Sequence, residues 1–447
     1  MTETQSLPTT QSLSLIPKRL PGVMFALTLL AYVVAVTQRS SLGVAGIDAI
    51  ERFDATATAL STLAVMQVAV YAIMQIPVGM LLDRFGPSRL IVSGALLMAL
   101  GQVVVAIAPS LEIAVLGRVL VGIGDATTFV AGLRIIGAWF KPRRVPIMQQ
   151  TFATVGQAGQ FLSAVPFALL LHLSGWTVAF LTAASLSAIV LIACLAGLRD
   201  TPYRRFAGQS VSLRGAFGKL GDAFARPGTR LGFWSHFTTQ FPATIFALLW
   251  GYPLMVEGLG YPPELASVML MLPVVAGMFL GPLLGILTAR YPLRRSNLVM
   301  LSGLLTAAVW ILVITLPFTP PLWLFILLLV VMGGASTGST IGFDFARTFN
   351  PTSSYGSASG IVNVGGFTAS ALSFLLIGIG IDFGKHQGVS DWFPYQIAMW
   401  AVPLVVGLGL IGLLVERRRA RSRMAAEEGV VVAPLWNAVI RRWRRRR

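Results

Sequence analysis

The stretch GMLLDRFGPSR, residues 79–89, joins two apolar segments and returns in altered form as GILTARYPLRR at residues 285–295. Both copies keep a glycine and a leucine near the start, an internal arginine and a terminal arginine. Two further fragments, FKP at 140–142 and FNP at 349–351, repeat with nearly the same offset. The chain therefore contains an internal duplication, which is the signature of a two-bundle membrane transporter with a central site between its halves.

Composition places most of the chain in lipid. The chain has 447 residues, of which 55% are hydrophobic and only 11% charged, whereas soluble proteins carry about 25% charged residues. A single cysteine, Cys194, excludes a disulfide framework and cysteine-based metal sites. The formal net charge of +17 would indicate nucleic-acid binding in a soluble protein, but the positive charges collect in loops and in the C-terminal tail. We therefore predict neither a nucleic-acid partner nor a cofactor or metal, and no pattern of catalytic residues indicates an enzyme.

Twelve apolar segments are long enough to cross a hydrocarbon core of ~30 Å. Their approximate limits are residues 22–47, 58–82, 89–108, 112–138, 146–171, 176–197, 232–256, 264–288, 296–316, 322–345, 356–380 and 394–415. Basic residues concentrate in alternate loops, so the positive-inside rule places these loops and both termini in the cytoplasm. The predicted organisation is a cytoplasmic leader, a six-helix bundle, a cytoplasmic central loop, a second six-helix bundle and a basic cytoplasmic tail, at residues 1–21, 22–198, 199–230, 231–415 and 416–447.

The first copy of the repeat has the spacing Gly79-x-Leu81-x-Asp83-Arg84-x-Gly86-x-x-Arg89. Together with Arg118-x-x-x-Gly122 in LGRVLVGIG and SGW at 174–176, it resembles the major facilitator superfamily over essentially all the spans. The resemblance implies an all-α integral membrane protein with twelve transmembrane helices in two pseudo-symmetric six-helix bundles. It also implies alternating access driven by an ion gradient, usually of protons.

The same resemblance gives the repeat a role as a conformational latch, in which Asp83 faces the N-terminus of span 11 near Tyr355–Gly356. A helix N-terminus favours a negative charge by roughly 0.3–1 kcal/mol, and a glycine lets two helices pack closely. The second copy has Ala289 at the position that Asp83 occupies in the first copy. In the second half of the chain, Asp344 lies close to the position that corresponds to Arg134 in the first half. We predict a swapped latch, in which Asp83 pairs with an arginine of span 4 and the loop arginine of the second copy, Arg290, pairs with Asp344; solvated and unpaired residues are the alternative. The latch residues are Gly79, Asp83, Arg84, Gly86, Arg89, Arg134, Arg290 and Asp344.

Span 4, within LGRVLVGIGDATTFVAGLRIIGAWF (116–140), carries charges that cost roughly 2.5–3.5 kcal/mol each at a bilayer centre. Arg118, Gly122 and Asp125 fall on one helical stripe, which by default faces the interior of the bundle. One interpretation is that Arg118 binds an anionic group or polarises Asp125, while Asp125 exchanges a proton. The other is a structural ion pair linked through water, because two turns separate the two groups.

Span 1 places Arg39 in TQRSSLGVA, which resembles the organic-anion and sugar-phosphate branches of the superfamily, where such an arginine holds a carboxylate or phosphate. The alternative is an arginine at a helix end that extends to the membrane surface. Further polar side chains on other spans are predicted to line an aqueous cavity, although they also suit simple cross-helix hydrogen bonds. They are the substrate-binding candidates Gln67, Tyr71, Gln157, Gln240 and Asn363, and His236 as a second candidate for proton coupling.

These features predict proton-coupled transport of a small anionic metabolite across a bacterial inner membrane by a monomer. Drug export against protons is an alternative, weakened because span 5 lacks the Gly-Pro motif typical of such antiporters. Nitrate transport is another, since its asparagine and glycine signatures are half present in Asn363 and Gly365–Gly366. A membrane sensor that kept the fold without transporting is a third.

The tail VVVAPLWNAVIRRWRRRR, residues 430–447, has apolar residues at helical spacing and ends in arginines. It is too short and too basic to span a membrane. It is predicted to lie as an amphipathic helix on the anionic inner leaflet, with a disordered basic tail as the alternative.

Overall fold

The computed structural model describes residues 19–54, 57–202, 213–385, 387 and 390–430. Within these ranges the chain is helical, with turns and short connections and no strand. The leader up to residue 18, the loop at 203–212 and the tail from residue 431 lie outside the described residues, as does the side chain of Gln67. The predicted membrane-surface helix of the tail therefore falls outside the described residues.

Across the described ranges we number the α-helices α1 to α18 in chain order. Their bounds are α1 Leu20–Val44, α2 Gly46–Phe53, α3 Ala57–Phe85, α4 Pro87–Ile107, α5 Leu111–Trp139, α6 Val145–Gly156, α7 Gly159–Leu162, α8 Ala168–Gly197, α9 Leu213–Ala225, α10 Pro227–Ile245, α11 Gly251–Pro253, α12 Pro263–Arg290, α13 Arg295–Thr315, α14 Leu322–Gly338, α15 Ile341–Phe349, α16 Tyr355–Lys385, α17 Trp392–Met399 and α18 Ala401–Glu428.

Proline marks where several helices begin. Pro87, Pro227 and Pro263 occupy the first positions of α4, α10 and α12. A proline fits there because its missing N–H has no acceptor in the first turn and its fixed φ already suits a helix. The loop residues at these points therefore set where each span starts.

Proline also accompanies the irregular turns inside the spans. The π-helical turn Ser163–Phe167 contains Pro166, and the turn Phe246–Trp250 follows Pro242 at one turn's distance. A proline inside a helix removes a backbone hydrogen bond and crowds the preceding turn, and a wider π turn relieves that conflict. Each of these spans therefore combines a proline with a π-helical turn.

Nine helical segments among the described residues are long and apolar enough to cross a membrane, by length and composition. One of them, Val145–Gly197, contains predicted spans 5 and 6, which meet at Gly175. Gly175 has φ +77°, a conformation that glycine adopts readily and that breaks the helical path between the two spans. Predicted span 2 corresponds to the 29-residue helix α3, and predicted span 7 to α10 with the turns that follow it as far as Gly258.

The chain divides into two compact units. Unit 1 comprises Met1–Gly221 with Thr352–Val364, and unit 2 comprises Asp222–Pro351 with Gly365–Arg447. The break after Gly221 falls inside the predicted central loop. The beginning of α16 groups with unit 1, and the remainder of that helix groups with unit 2.

In unit 1, helices α4 and α5 touch along their backbones through glycines. A Cβ atom built on Gly101 would lie 2.6 Å from the carbonyl oxygen of Gly117. One built on Gly124 would lie 2.5 Å from the carbonyl oxygen of Gly94. Real Cβ atoms do not approach carbonyl oxygens so closely, so glycine is required for this contact.

The same contact orients the charges of α5. Gly117 immediately precedes Arg118, and Gly124 immediately precedes Asp125. Successive residues of a helix are about 100° apart around its axis. With both glycines held against α4, both charged side chains project from the neighbouring face, where α1 packs.

Candidate functional site

The centre of the site in unit 1 is an ion pair between α1 and α5. Arg39 donates from Nε to Asp125 Oδ2 at 2.6 Å and from Nη2 to Asp125 Oδ1 at 2.9 Å. This is the two-pronged geometry that a planar guanidinium forms with a carboxylate. The Asp125 side chain is 1% exposed, whereas that of Arg39 is 28% exposed. The pair is therefore sealed on the aspartate side and accessible on the arginine side.

Arg118, the second arginine of the cluster, is 2% exposed. It donates from Nη1 to Ser41 Oγ at 3.2 Å and from Nη2 to the backbone oxygen of Arg39 at 3.1 Å. Its positive charge also acts on Asp125. Arg118 thus holds the backbone that presents Arg39 and adds a second positive charge around one carboxylate.

Tyr71 and Asn363 border the same cluster. The guanidinium carbon of Arg39 lies 4.7 Å from the centroid of the Tyr71 ring, within the range of a cation–π interaction. Asn363 donates to Gln75 Oε1 at 2.6 Å and is within hydrogen-bonding reach of Tyr71. Two predicted substrate-binding residues, one on α3 and one on α16, therefore lie beside the ion pair.

Gln157 joins the cluster through Tyr32. Gln157 donates to the Tyr32 hydroxyl at 3.0 Å and accepts from Gln160 at 2.7 Å. The Tyr32 ring stacks on Phe152 with the ring centroids 4.8 Å apart. Tyr32 also interacts electrostatically with Arg39 and Asp125. Sequence reasoning missed Tyr32, although it lies seven residues before Arg39 and therefore on the same stripe of α1.

A network of buried glutamine and serine side chains supports Arg118. Sequence reasoning missed this network. Gln102 donates to Gln38 Oε1 at 2.5 Å and to Ser41 Oγ at 3.3 Å. Gln38 in turn donates to Ser187 Oγ at 2.8 Å. Since Ser41 is the acceptor for Arg118, these side chains fix the position of that guanidinium. Gln38 adjoins Arg39 in the sequence, but the periodicity of α1 alone does not identify its partners.

Two further predicted residues lie in the interior of unit 2. Nδ1 of His236 is 3.3 Å from the backbone oxygen of Ser339. The rings of His236 and Phe343 pack edge to face, with their centroids 5.0 Å apart. Gln240 donates to Thr244 Oγ1 at 2.6 Å and accepts from Ser370 at 3.4 Å. Both side chains on α10 thus take part in polar contacts inside unit 2.

Asp83 lies at the N-terminus of α16, as the family resemblance implied. Its carboxylate accepts from the backbone N–H of Gly356 at 2.7 Å and from the N–H and the hydroxyl of Ser357, each at 2.8 Å. Arg134 donates to Asp83 Oδ1 at 2.7 Å and to the backbone oxygen of Thr352 at 3.1 Å. One buried carboxylate thereby joins α3, α5 and the start of α16.

The other motif residues have distinct surroundings. A Cβ atom on Gly79 would lie 2.5 Å from the carbonyl oxygen of Gly356, so this glycine permits α3 to touch α16. Gly86 has φ +83° in the tight connection to α4. The Arg84 guanidinium lies 5.0 Å from the ring centroid of Phe85, and Arg89 is exposed.

The second copy of the repeat uses a different arginine from the one predicted. Asp344 pairs with Arg295, and also with Arg347 at 2.5 and 3.1 Å. The exposed Arg290 at the end of α12 instead lies 5.6 Å from the ring centroid of Tyr291. The predicted pairing of Arg290 with Asp344 is therefore replaced by Arg295, because Arg295 is buried at the start of α13 and lies beside α15.

A signal for Arg295 was present in the sequence. It is the terminal arginine of GILTARYPLRR and corresponds to Arg89 of the first copy. The guanidinium of Arg295 packs 4.4 Å from the ring centroid of Phe345, inside the sequence GFDFAR. The sequence signal for the Arg295–Asp344 ion pair is therefore an arginine at the start of a helix together with an aromatic residue beside Asp344.

Known proteins resemble the chain in part of their length. The probable L-galactonate transporter of Escherichia coli is 29% identical over 165 residues, which is 37% of this chain and 36% of that protein. The nitrate/nitrite transporter NrtP of Picosynechococcus is 38% identical over 24% of this chain and 20% of that protein. The probable sulfoacetate transporter SauU of Cupriavidus necator is 25% identical over 61% of this chain and 66% of that protein. The matches thus cover from one fifth to two thirds of these relatives' length.

The fold has counterparts among solved structures. The fucose:proton symporter FucP of Escherichia coli superposes with a TM-score of 0.65 and 14% sequence identity, covering 89% of this chain and 99% of that one. This likeness confirms the predicted fold class, an all-α membrane protein with twelve transmembrane helices. A family model described as Major Facilitator Superfamily matches residues 28–374. Since that match covers most of the residues and includes both copies of the repeat, the chain belongs to the Major Facilitator Superfamily.

Proposed function

We propose that this protein is a secondary active transporter that carries a small organic anion together with protons by alternating access. The observation that carries the proposal is the ion pair between Arg39 and Asp125, which is sealed on the aspartate side and accessible on the arginine side. An anion that reaches this site meets the accessible face of a guanidinium. Arginine suits this task because its planar fork binds carboxylates and phosphates through two parallel hydrogen bonds.

Coupling to protons follows from competition for Arg39. A substrate carboxylate that takes over the Nε and Nη2 donors displaces Asp125. A carboxylate left without its partner in an apolar interior is costly in its charged form, so Asp125 binds a proton. Loading one anion and one proton leaves the net charge of the cluster unchanged. Release of the anion lets Asp125 return to Arg39 and give up the proton.

Arg118 supports an anionic rather than a cationic substrate. It places a second guanidinium beside the single carboxylate of the cluster, and it binds the backbone of Arg39. The relatives with which the chain aligns are named for L-galactonate, sulfoacetate and nitrate or nitrite, all of which are anions. We assign Tyr71, Asn363 and Gln157 to the rim of the site.

The remaining predicted residues keep subordinate roles in this proposal. Gln240 in unit 2 and Gln67, whose side chain lies outside the described residues, remain candidate substrate-binding residues, and His236 is the second candidate for proton transfer. The contacts of Asp83 with Arg134 and with the start of α16 hold the cytoplasmic side closed, and they separate when it opens. Asp344 with Arg295 performs the corresponding task in unit 2.

The proposed setting is the cytoplasmic membrane of a bacterium, with both termini in the cytoplasm and the chain working as a monomer. The basic loops support this orientation. The domain boundaries proposed are those read from the sequence, with two six-helix bundles joined by the loop at 199–230. Small-molecule substrate, protons and membrane lipid are the proposed partners.

The experiment begins with a thermal-shift screen of the purified protein against sugar acids, sulfonates, monocarboxylates, phosphates, nitrate and cationic drugs. The stabilising compound then enters proteoliposome assays of counterflow and of accumulation driven by a pH gradient. We expect stabilisation by an organic anion and accumulation of that anion on the side to which protons move. Selective stabilisation by nitrate or by a cationic drug would favour the alternative transporters. Binding without counterflow would identify a sensor.

A further inference from the structure

Three arginines of unit 2 gather at one end of two neighbouring helices. Arg294 ends the short turn before α13, and Arg417 and Arg421 lie one turn apart on the extension of α18. The positive charges of Arg294 and Arg421 both act on Arg417, and that of Arg294 also acts on Arg421. Three like charges held together in this way favour a bound anion. We call these residues the arginine cluster.

Uncharged side chains of α13 hold Arg417 in place. Arg417 donates to Asn297 Oδ1 and towards the sulfur of Met300, both on α13. Neither partner carries a charge. The Nε atom of Arg417 is buried and has no hydrogen-bond partner within the part of the chain that the structure describes. A polar N–H group in that situation favours an acceptor from outside the protein.

The nearest acid along α18 is engaged elsewhere. Glu416 accepts from Arg230 at 2.9 Å and from Arg419 at 2.7 Å. Its position is adjacent to Arg417 in the sequence and therefore about 100° away around the helix. The carboxylate of Glu416 consequently serves a different face from the one that carries Arg417 and Arg421.

Exposed leucines continue from the cluster along both helices. Leu414 lies one turn before Arg417 on α18, and Leu304 lies one turn beyond Met300 on α13. Both are exposed, and both belong to segments apolar enough to span a membrane. A cationic end followed at once by an apolar outer surface matches the two parts of a phospholipid, a phosphate headgroup and acyl chains.

We propose that the arginine cluster binds the phosphate group of an anionic phospholipid whose acyl chains lie along α13 and α18 beside Leu304 and Leu414. The shared chemistry is that of a phosphate, which a free phosphate ion also offers. The leucines favour the lipid, because a free ion gains nothing from an apolar surface. The site lies within unit 2 and apart from the Arg39–Asp125 pair, so it is independent of the proposed transport chemistry.

The test is native mass spectrometry of the full chain in detergent with added phosphatidylglycerol, phosphatidylcholine or inorganic phosphate. The variant R417Q/R421Q removes two charges from the cluster. Its matched control, R418Q/R423Q, removes two charges from other faces of the same helix. We expect phosphatidylglycerol to bind about thirtyfold more weakly to R417Q/R421Q, and the control to bind as the wild type does. Binding of phosphatidylcholine is expected to be equal in all three proteins.

A second variant guards against misfolding. R421Q leaves the contacts of Arg417 with Asn297 and Met300 in place, and we expect it to bind phosphatidylglycerol about fivefold more weakly while keeping the wild-type unfolding temperature in detergent. An equal loss in the control variant would overturn the proposal, because the effect would then reflect general charge. Displacement of phosphatidylglycerol by an equal concentration of inorganic phosphate would overturn the lipid assignment.

Discussion

Replacing Asp125 with asparagine removes one negative charge and leaves a side chain of almost the same shape. In the wild type this carboxylate accepts two hydrogen bonds from Arg39, at 2.6 and 2.9 Å. Removing one partner of a buried ion pair costs about 3–5 kcal/mol. Because the Arg39 side chain is 28% exposed, water compensates part of this loss. We therefore expect a destabilisation at the lower end of that range.

The expected signature combines stability with transport. Without substrate, the D125N variant unfolds at a lower temperature than the wild type. A substrate anion at one hundred times its dissociation constant stabilises the folded variant by about 2.7 kcal/mol through mass action, and we expect the anion to bind where the Asp125 carboxylate was. In proteoliposomes the variant exchanges substrate for substrate but does not accumulate it in response to a pH gradient, since asparagine carries no exchangeable proton.

The matched control is Glu112→Gln, which removes the same charge from an exposed position at the start of the same helix. It is expected to keep both the unfolding temperature and the accumulation. Accumulation by D125N against a substrate gradient would refute the coupling argument and direct attention to His236. An unchanged unfolding temperature in D125N would refute the role of the ion pair in stability.

Other substitutions test the remaining parts of the site. Arg39→Lys keeps the charge but loses one of two charge-assisted hydrogen bonds, so substrate affinity in binding titrations should fall about tenfold or more; unchanged affinity would indicate that the fork does not hold the anion. Gly79→Ala forces α3 away from α16 at a cost of about 1–3 kcal/mol, seen as a lower unfolding temperature, whereas Gly22→Ala, which meets nothing within 4 Å, should be neutral. Arg295→Gln leaves the buried Asp344 with Arg347 as its remaining arginine partner and should lower the unfolding temperature, whereas Arg290→Gln at an exposed helix end should not; equal effects would contradict the pairing of Asp344 with Arg295.

The sequence was sufficient for those features that depend on one helix at a time. Apolar length located the spans, and helical spacing placed Arg118 and Asp125 on one face of α5. The duplicated motif pointed to Asp83 and to the start of α16. Each of these inferences uses only the geometry of a single helix or a repeat.

Partners across helices were not accessible in the same way. Periodicity shows which face of α1 carries Arg39, but the axial offset between α1 and α5 decides whether that side chain meets Asp125. That offset depends on how the helices pack together, which the sequence of either helix does not give. The prediction for Asp344 named Arg290 and did not consider Arg295, because the burial of a helix start depends on its neighbours.

The glycine contact between α4 and α5 has a genetic consequence. Gly94, Gly101, Gly117 and Gly124 touch no ligand in the proposed mechanism, yet every missense change in a glycine codon adds at least a Cβ atom. A saturation library should therefore show four intolerant positions, spaced by seven residues on each helix, as strict as those of the ion pair itself. A substitution in this glycine contact would move α5 and so shift Arg118 and Asp125 together. Natural variation in substrate preference must then come from substitutions on helix faces outside the α4–α5 contact.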